Sequence, residues 1–126
     1  MTVAEAADVA NGAFSAPLAG EPARVKVSHY WPPLGGVNCF RFVAGECLSP
    51  TASGAPWQEW VGTGAACVPE WPFGTTFTLP GGETFTCVDR GGAIKTGADG
   101  LPWVDLLVKT APVPFGAVVE VRVVRP

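Results

Sequence analysis

The chain has 126 residues, of which 15% are charged, with a formal net charge of −3 and unusually many glycines (16) and prolines (13). This length supports a single domain, and 48% hydrophobic residues with so little charge argue against disorder. The eight Lys and Arg residues are scattered singly, which argues against a nucleic acid partner. The sequence predicts no membrane span, and its first residues do not have the pattern of a signal peptide.

The N-terminal residues 1–22 are rich in alanine and are predicted to form an arm, with one short helical pattern at AEAADVA. We expect the folded domain to occupy residues 23–126. Its first segment, ARVKVSHY, alternates Val25 and Val27 with polar residues, as a half-buried strand does.

Further strands follow along the chain. TTFTL and TFTCV alternate Thr with apolar residues on either side of PGGE, which predicts a hairpin. VDLLV is another apolar run, and AVVEVRVV places Val119, Val121 and Val123 on one face. Short strands separated by Gly and Pro, with almost no helical period, indicate an all-β fold and a small closed barrel.

The four cysteines, Cys39, Cys47, Cys67 and Cys87, favour two disulfides and an oxidising compartment, with four buried thiols as the alternative. Three pairings can form, and we favour Cys39 with Cys47 and Cys67 with Cys87. The spacing lacks a Cys-x-x-Cys motif and the chain has one histidine, so neither a metal site nor a cofactor is predicted.

Four segments occur in a particular order: VSHYWPPLGGVNC, TASG, AACVPEWPFGTTF, and CVDRGGAIK followed by WVDLLV. This arrangement resembles the six-stranded double-psi β-barrel superfamily, which includes the three-aspartate domain of lytic transglycosylase A, rare lipoprotein A, barwin and the expansins. PFGT and DRGGAIK are the most specific parts of the resemblance. The resemblance implies a groove for a peptidoglycan glycan strand, with aspartates at its floor.

Two aspartates match the catalytic pattern that this resemblance implies. Asp89 matches the aspartate of the Asp-x-Gly-Gly segment, Asp105 matches the later aspartate, and Cys67 stands where the family has its first carboxylate. One carboxyl with a raised pKa would protonate the glycosidic oxygen and then accept a proton from the sugar's own hydroxyl, forming an anhydro sugar. The alternatives are a turn-capping role for Asp89 and a solvated strand face for Asp105.

The candidate substrate-binding residues are Trp31, Trp103, Tyr30 and Lys95. The tryptophans lie almost entirely in loops, where an exposed indole would offer a flat face to a sugar ring. The alternative for the tryptophans is that they seal loops against the barrel, and Lys95 also suits an ordinary surface charge.

We therefore expect an extracellular or cell-envelope domain that binds peptidoglycan or another glycan and has lytic transglycosylase activity as its candidate chemistry. The first alternative is a non-catalytic, expansin-like carbohydrate-binding module. The second is a structural subunit of a virion or surface layer, in which the arm mediates self-assembly.

Overall fold

The computed structural model describes residues 20–126, so the predicted helix at AEAADVA lies outside the described residues. Within this range the strands are β1 (Glu21–Tyr30), β2 (Phe42–Val43), β3 (Glu46–Cys47), β4 (Gly64–Ala66), β5 (Thr76–Thr78), β6 (Thr84–Asp89), β7 (Trp103–Leu107) and β8 (Ala117–Val124). The only helical segments described are short 3₁₀ turns at Pro32–Leu34, Gly36–Asn38 and Trp57–Trp60.

Six of the strands in residues 20–126 close a barrel in the order β1, β7, β4, β6, β5, β8. The pairs β1–β7 and β4–β6 are parallel, and the other neighbours are antiparallel. Strands β2 and β3 form a separate hairpin. The all-β class and the closed six-stranded barrel predicted from the sequence are therefore confirmed. Strand β1 begins at Glu21, two residues before the predicted start of the domain.

The apolar faces of the alternating strands form the barrel core. Val25 and Val27 of β1 are 0% and 1% exposed, and Val121 of β8 is 1% exposed. In the predicted hairpin, Phe77 lies opposite Phe85 and their rings stack with centroids 5.9 Å apart. Burying each such side chain stabilises the fold by roughly 1.5–3 kcal/mol. A shift of one residue would turn these side chains out of the core, so the alternation fixes the strand register.

Strand β4 is a run of small residues, Gly-Ala-Ala, between β7 and β6. A Cβ added at Gly64 would lie 2.8 Å from the Cβ of Trp60 and 3.0 Å from a methyl group of Val88. Glycine is therefore required here by the close approach of neighbouring segments.

Both cysteine pairs form the disulfides that the sequence analysis favoured. Cys67–Cys87 is fully buried and joins the end of β4 to β6, whereas Cys39–Cys47 closes the hairpin of β2 and β3. Two disulfides indicate an oxidising environment. Among the described residues, no helix meets the length and hydropathy needed to cross a bilayer, and no cluster of three potential metal ligands is found.

The PFGT turn is attached to the strand that leads to Asp89. The backbone N–H of Gly74 donates to the Cys87 carbonyl at 2.9 Å, and the Cys87 N–H donates to the Thr75 carbonyl at 2.8 Å. Gly74 has a φ of 94°, a conformation that other residues adopt only with strain. This turn therefore helps to fix the end of β6.

Candidate active site

Asp89 and Asp105 lie on the two strands that flank β4, and both pair with the same residue. Ala66 is the register partner of Asp105 on β7 and of Asp89 on β6. Adjacent strands are roughly 5 Å apart, so the two aspartates are separated by about two strand spacings with a methyl side chain between them. The topology therefore brings together two carboxylates that are distant in the sequence.

A register irregularity in β6 places Asp89 beside Ala66. Ala65 pairs with Cys87, but the next residue, Ala66, pairs with Asp89, so the pairing passes over Val88. Such bulges change which side chains reach a given face of a sheet and occur often beside active sites. Without this bulge, Val88 would stand opposite Ala66.

The two carboxylates line one surface cavity of about 400 Å³. The lining comes from strands β1, β4, β6 and β7, from the segment around the Cys39–Cys47 disulfide, from Thr51 of TASG and from residues 90–92. The lining residues include Tyr30, Val37, Phe40, Thr51, Trp57, Ala66, Asp89 and Asp105.

Asp105 is mostly buried at the floor of this cavity. Its Oδ1 accepts a 2.7 Å hydrogen bond from the Ser28 hydroxyl, and residues 20–126 supply no hydrogen-bond partner to Oδ2. Burial raises the pKa of Asp105, and the nearby charge of Asp89 adds to this increase, while the Ser28 hydrogen bond and the charge of His29 oppose it. Asp105 therefore has the environment of a carboxyl group that retains its proton more readily than an exposed aspartate.

Asp89 is held by three hydrogen bonds. Its Oδ1 accepts from the backbone N–H groups of Ala52 at 2.8 Å and Arg90 at 2.9 Å, and its Oδ2 accepts from the Tyr30 hydroxyl at 2.8 Å. The turn-capping alternative therefore describes part of its role, since the next residue is one of the donors. The Ala52 contact also attaches the TASG segment to the end of β6.

Tyr30 connects the side chain of Asp89 to the cavity. Burial and the adjacent Asp89 carboxylate raise the pKa of Tyr30 far above its usual range, so the phenol stays protonated. Because its single proton is donated to Asp89, the phenolic oxygen is left as an acceptor for other donors in the cavity.

The other three predicted binding residues do not line this cavity. Trp31 is half-buried and packs edge-on against Trp57 with ring centroids 5.8 Å apart. Trp103 is half-buried and donates its indole N–H to Ser28 at 2.6 Å, and Lys95 is exposed. Their role in binding stays a prediction.

Trp57 does line the cavity, although sequence reasoning did not select it. It lies in a 3₁₀ turn and donates its indole N–H to the Cys47 carbonyl at 3.3 Å, which fixes the ring against the disulfide hairpin. Nothing in the local pattern WQEW distinguishes Trp57 from Trp60.

Apolar side chains project from the rim of the cavity. Val37 and Phe40 are 104% and 98% exposed, and both line the opening. Phe40 lies just after Cys39, so the disulfide fixes the backbone that carries it. The rim therefore presents exposed apolar side chains at the cavity that the carboxylates line.

Arg90 is half-buried and lines the cavity next to Asp89. One guanidinium nitrogen donates to the Trp71 carbonyl at 2.9 Å and another donates to the Asp89 carbonyl at 3.2 Å. The guanidinium carbon also lies 4.1 Å from the ring centre of Phe73. Through these contacts Arg90 fixes the segment that follows β6.

Cys67, which the sequence resemblance aligns with a carboxylate, is fully buried and bonded to Cys87. Glu70, the nearest acidic residue in the sequence, is exposed and does not line the cavity. The cavity is therefore built around two aspartates.

Comparison of the chain with protein-family models, with curated proteins and with solved structures gives no significant match.

Proposed function

We propose that this chain is a double-psi β-barrel domain of the cell envelope that binds peptidoglycan glycan strands and cleaves them by lytic transglycosylation. The single observation that carries the proposal is the placement of Asp89 and Asp105 on either side of Ala66 in one cavity. The closed six-stranded barrel with two parallel pairs is consistent with the double-psi topology.

Asp105 is the general acid and base of the proposed reaction. Its protonated carboxyl gives its proton to the glycosidic oxygen as the bond from that oxygen to the anomeric carbon breaks. The hydroxyl on the sugar's own C6 then forms a bond to the anomeric carbon and returns its proton to Asp105. The raised pKa of Asp105 supports this assignment, because a general acid must enter the reaction protonated.

Asp89 acts as the charge partner. Three donors hold it in a fixed position, so it stabilises positive charge on the sugar ring without moving. Its charge also favours the protonated form of Asp105.

The aromatic side chains at the cavity suit a sugar ligand. Trp57 and Phe40 offer flat apolar faces for the axial C–H groups of a sugar ring, while the Tyr30 oxygen accepts from a hydroxyl group. This mixture of a few polar groups with aromatic walls is typical of small-molecule sites.

A specific observation favours a second candidate, a non-catalytic carbohydrate-binding module. The first family carboxylate is replaced by Cys67, whose side chain is sealed in a disulfide. A domain that had lost its chemistry would still retain the cavity and its aromatic rim.

Incubation with purified sacculi tests the two candidates together. The wild type should release soluble anhydro-muropeptides, and Asp105→Asn should reduce release by about 10²–10⁴-fold, the usual contribution of a general acid. Glu83→Gln, an exposed residue in the turn between β5 and β6, is the matched control and should act as the wild type does. Co-sedimentation with sacculi but no release would favour the binding module. Neither binding nor release would reject both.

A further inference from the structure

We propose that Ser28 and Trp103 are positioning residues that hold the acid proton of Asp105 on its Oδ2 atom. The catalytic role of Asp105 in this inference rests on the proposed function. The hydrogen bonds that support it exist whether or not the chain cleaves a glycan, so the two can be tested separately.

The three side chains lie on adjacent strands and form one hydrogen-bonded series. Trp103 Nε1 donates to Ser28 Oγ at 2.6 Å, and Ser28 Oγ donates to Asp105 Oδ1 at 2.7 Å. Ser28 is the register partner of Asp105, and Trp103 pairs with Lys26, two residues before Ser28 on the same strand. The series therefore follows from the parallel pairing of β1 with β7.

The indole fixes the direction of the series. An indole N–H can only donate, so Ser28 Oγ must accept from it. Ser28 has one hydroxyl proton, the residue is 4% exposed, and within residues 20–126 its only other hydrogen-bond partner is Asp105. The hydroxyl proton therefore points at Oδ1 of Asp105.

This arrangement decides which carboxyl oxygen carries the acid proton. A proton on Oδ1 would face the Ser28 proton, and turning the hydroxyl away would leave a buried donor without an acceptor, which costs about 1–3 kcal/mol. Oδ2 has no such conflict, since residues 20–126 donate no hydrogen bond to it. The cavity-lining carboxyl is thus protonated on the oxygen that is free to meet a substrate.

Outer contacts hold the indole in this position. Lys26 places its ammonium group 5.2 Å from the centre of the Trp103 ring and 3.3 Å from a carboxylate oxygen of Asp99. Trp103, predicted from the sequence as a stacking platform for sugars, therefore orients the Ser28 hydroxyl.

Infrared difference spectroscopy of the full chain at low pH, with Asp105→Asn as the reference, tests the proposal without any glycan. In the wild type the Asp105 carbonyl is Oδ1 and accepts from Ser28. Ser28→Ala should shift its stretching band to higher frequency, whereas Ser28→Thr, which keeps the hydroxyl, should restore the wild-type band. Trp103→Phe should also raise the frequency, because water that replaces the indole N–H can accept the Ser28 proton, which frees the hydroxyl to turn away from Oδ1.

A carboxyl ¹³C titration gives the second readout. Loss of the Ser28 donor should move the Asp105 midpoint to higher pH in Ser28→Ala, and Ser28→Thr should return it toward the wild-type value. An unchanged band and midpoint in folded Ser28→Ala would overturn the proposal. If Ser28→Ala does not fold, an unchanged Asp105 carbonyl band in Trp103→Phe would overturn the proposal.

The catalytic assay separates this inference from the proposed function. With sacculi as substrate, at a pH where Asp105 is protonated in both proteins, Ser28→Ala should lower kcat by about twofold with little change in KM, since the proton is then shared between Oδ1 and Oδ2. If the infrared band moves as expected while no variant cleaves sacculi, the proton placement stands and the proposed reaction fails.

Discussion

Asp89 and Asp105 stand opposite the same residue, Ala66, on the two strands that flank β4. The two carboxylates differ in their surroundings: Asp89 accepts three hydrogen bonds, whereas Asp105 accepts one and is mostly buried. In many enzymes, different surroundings separate the pKa values of two carboxyl groups, so that one stays protonated as the acid and the other stays charged.

The first prediction concerns stability and pH. Because the pKa of folded Asp105 is raised above its unfolded value of about 4, its contribution to stability is complete below pH 4 and is lost as pH rises through the folded pKa. Asp105→Asn should therefore unfold at a higher urea concentration than the wild type at pH 7. The advantage should shrink as pH falls toward 4, and an advantage that is the same at both pH values would contradict the assigned burial effect.

The second prediction concerns the Tyr30–Asp89 hydrogen bond. Tyr30→Phe removes a donor to a carboxylate and should lower the free energy of unfolding by about 1.5–3 kcal/mol. Asp89→Asn should lower the free energy of unfolding by a similar amount or more. The NH₂ group of asparagine would replace one carboxylate oxygen, and both oxygens accept hydrogen bonds from donors. Urea denaturation of both single variants and the double variant gives the coupling energy, and strict additivity would show that the contact contributes nothing.

The third prediction compares the two disulfides. Cys67–Cys87 spans 20 residues within the core and should contribute about 3 kcal/mol, so replacing both cysteines with alanine should strongly destabilise the barrel. Cys39–Cys47 spans 8 residues at the rim, and its replacement with serine should cost about 2.5 kcal/mol at most. The rim variant should mainly weaken sacculus binding, because Phe40 and Trp57 rest on that hairpin. Thermal unfolding and co-sedimentation, measured on the same samples, separate the effect on stability from the effect on binding. Equal losses of stability and equal losses of binding in the two variants would contradict this prediction.

The fourth prediction concerns the aromatic wall. Trp57→Ala should weaken co-sedimentation with sacculi roughly tenfold, and Trp57→Phe should recover part of the affinity because a flat ring remains. Trp103→Ala serves as the comparison, since Trp103 does not line the cavity. A larger loss in Trp103→Ala than in Trp57→Ala would instead favour the platform predicted from the sequence.

Strand alternation made much of the barrel predictable. Val25 with Val27, and Val121 with Val123, alternate with polar residues and are buried as expected, and the turn at PGGE joins the predicted hairpin. Strand β4 could not be recognised, because Gly64–Ala66 has neither alternation nor β-branched residues. It is a strand because its neighbours on both sides supply the hydrogen-bonded ladder.

The site was only partly predictable for similar reasons. Asp89 and Asp105 were selected by the family resemblance, but their meeting depends on β4 and on the bulge at Val88, and local sequence indicates neither. Trp57 was missed because its position depends on the packing of a loop against the disulfide hairpin. Ser28 is one of the polar residues that alternate with Val25 and Val27, yet it is 4% exposed and accepts a hydrogen bond from Trp103.

The most direct test of the central claim is the mass of the soluble products released from sacculi in heavy-oxygen water. Attack by the sugar's own hydroxyl uses no water, so the account predicts anhydro-muropeptides that contain no heavy oxygen at the cleaved end, together with their near absence from digests with Asp105→Asn. Products that carry heavy oxygen at that end would show hydrolysis, and equal release by wild type and Asp105→Asn would show that Asp105 is not the acid.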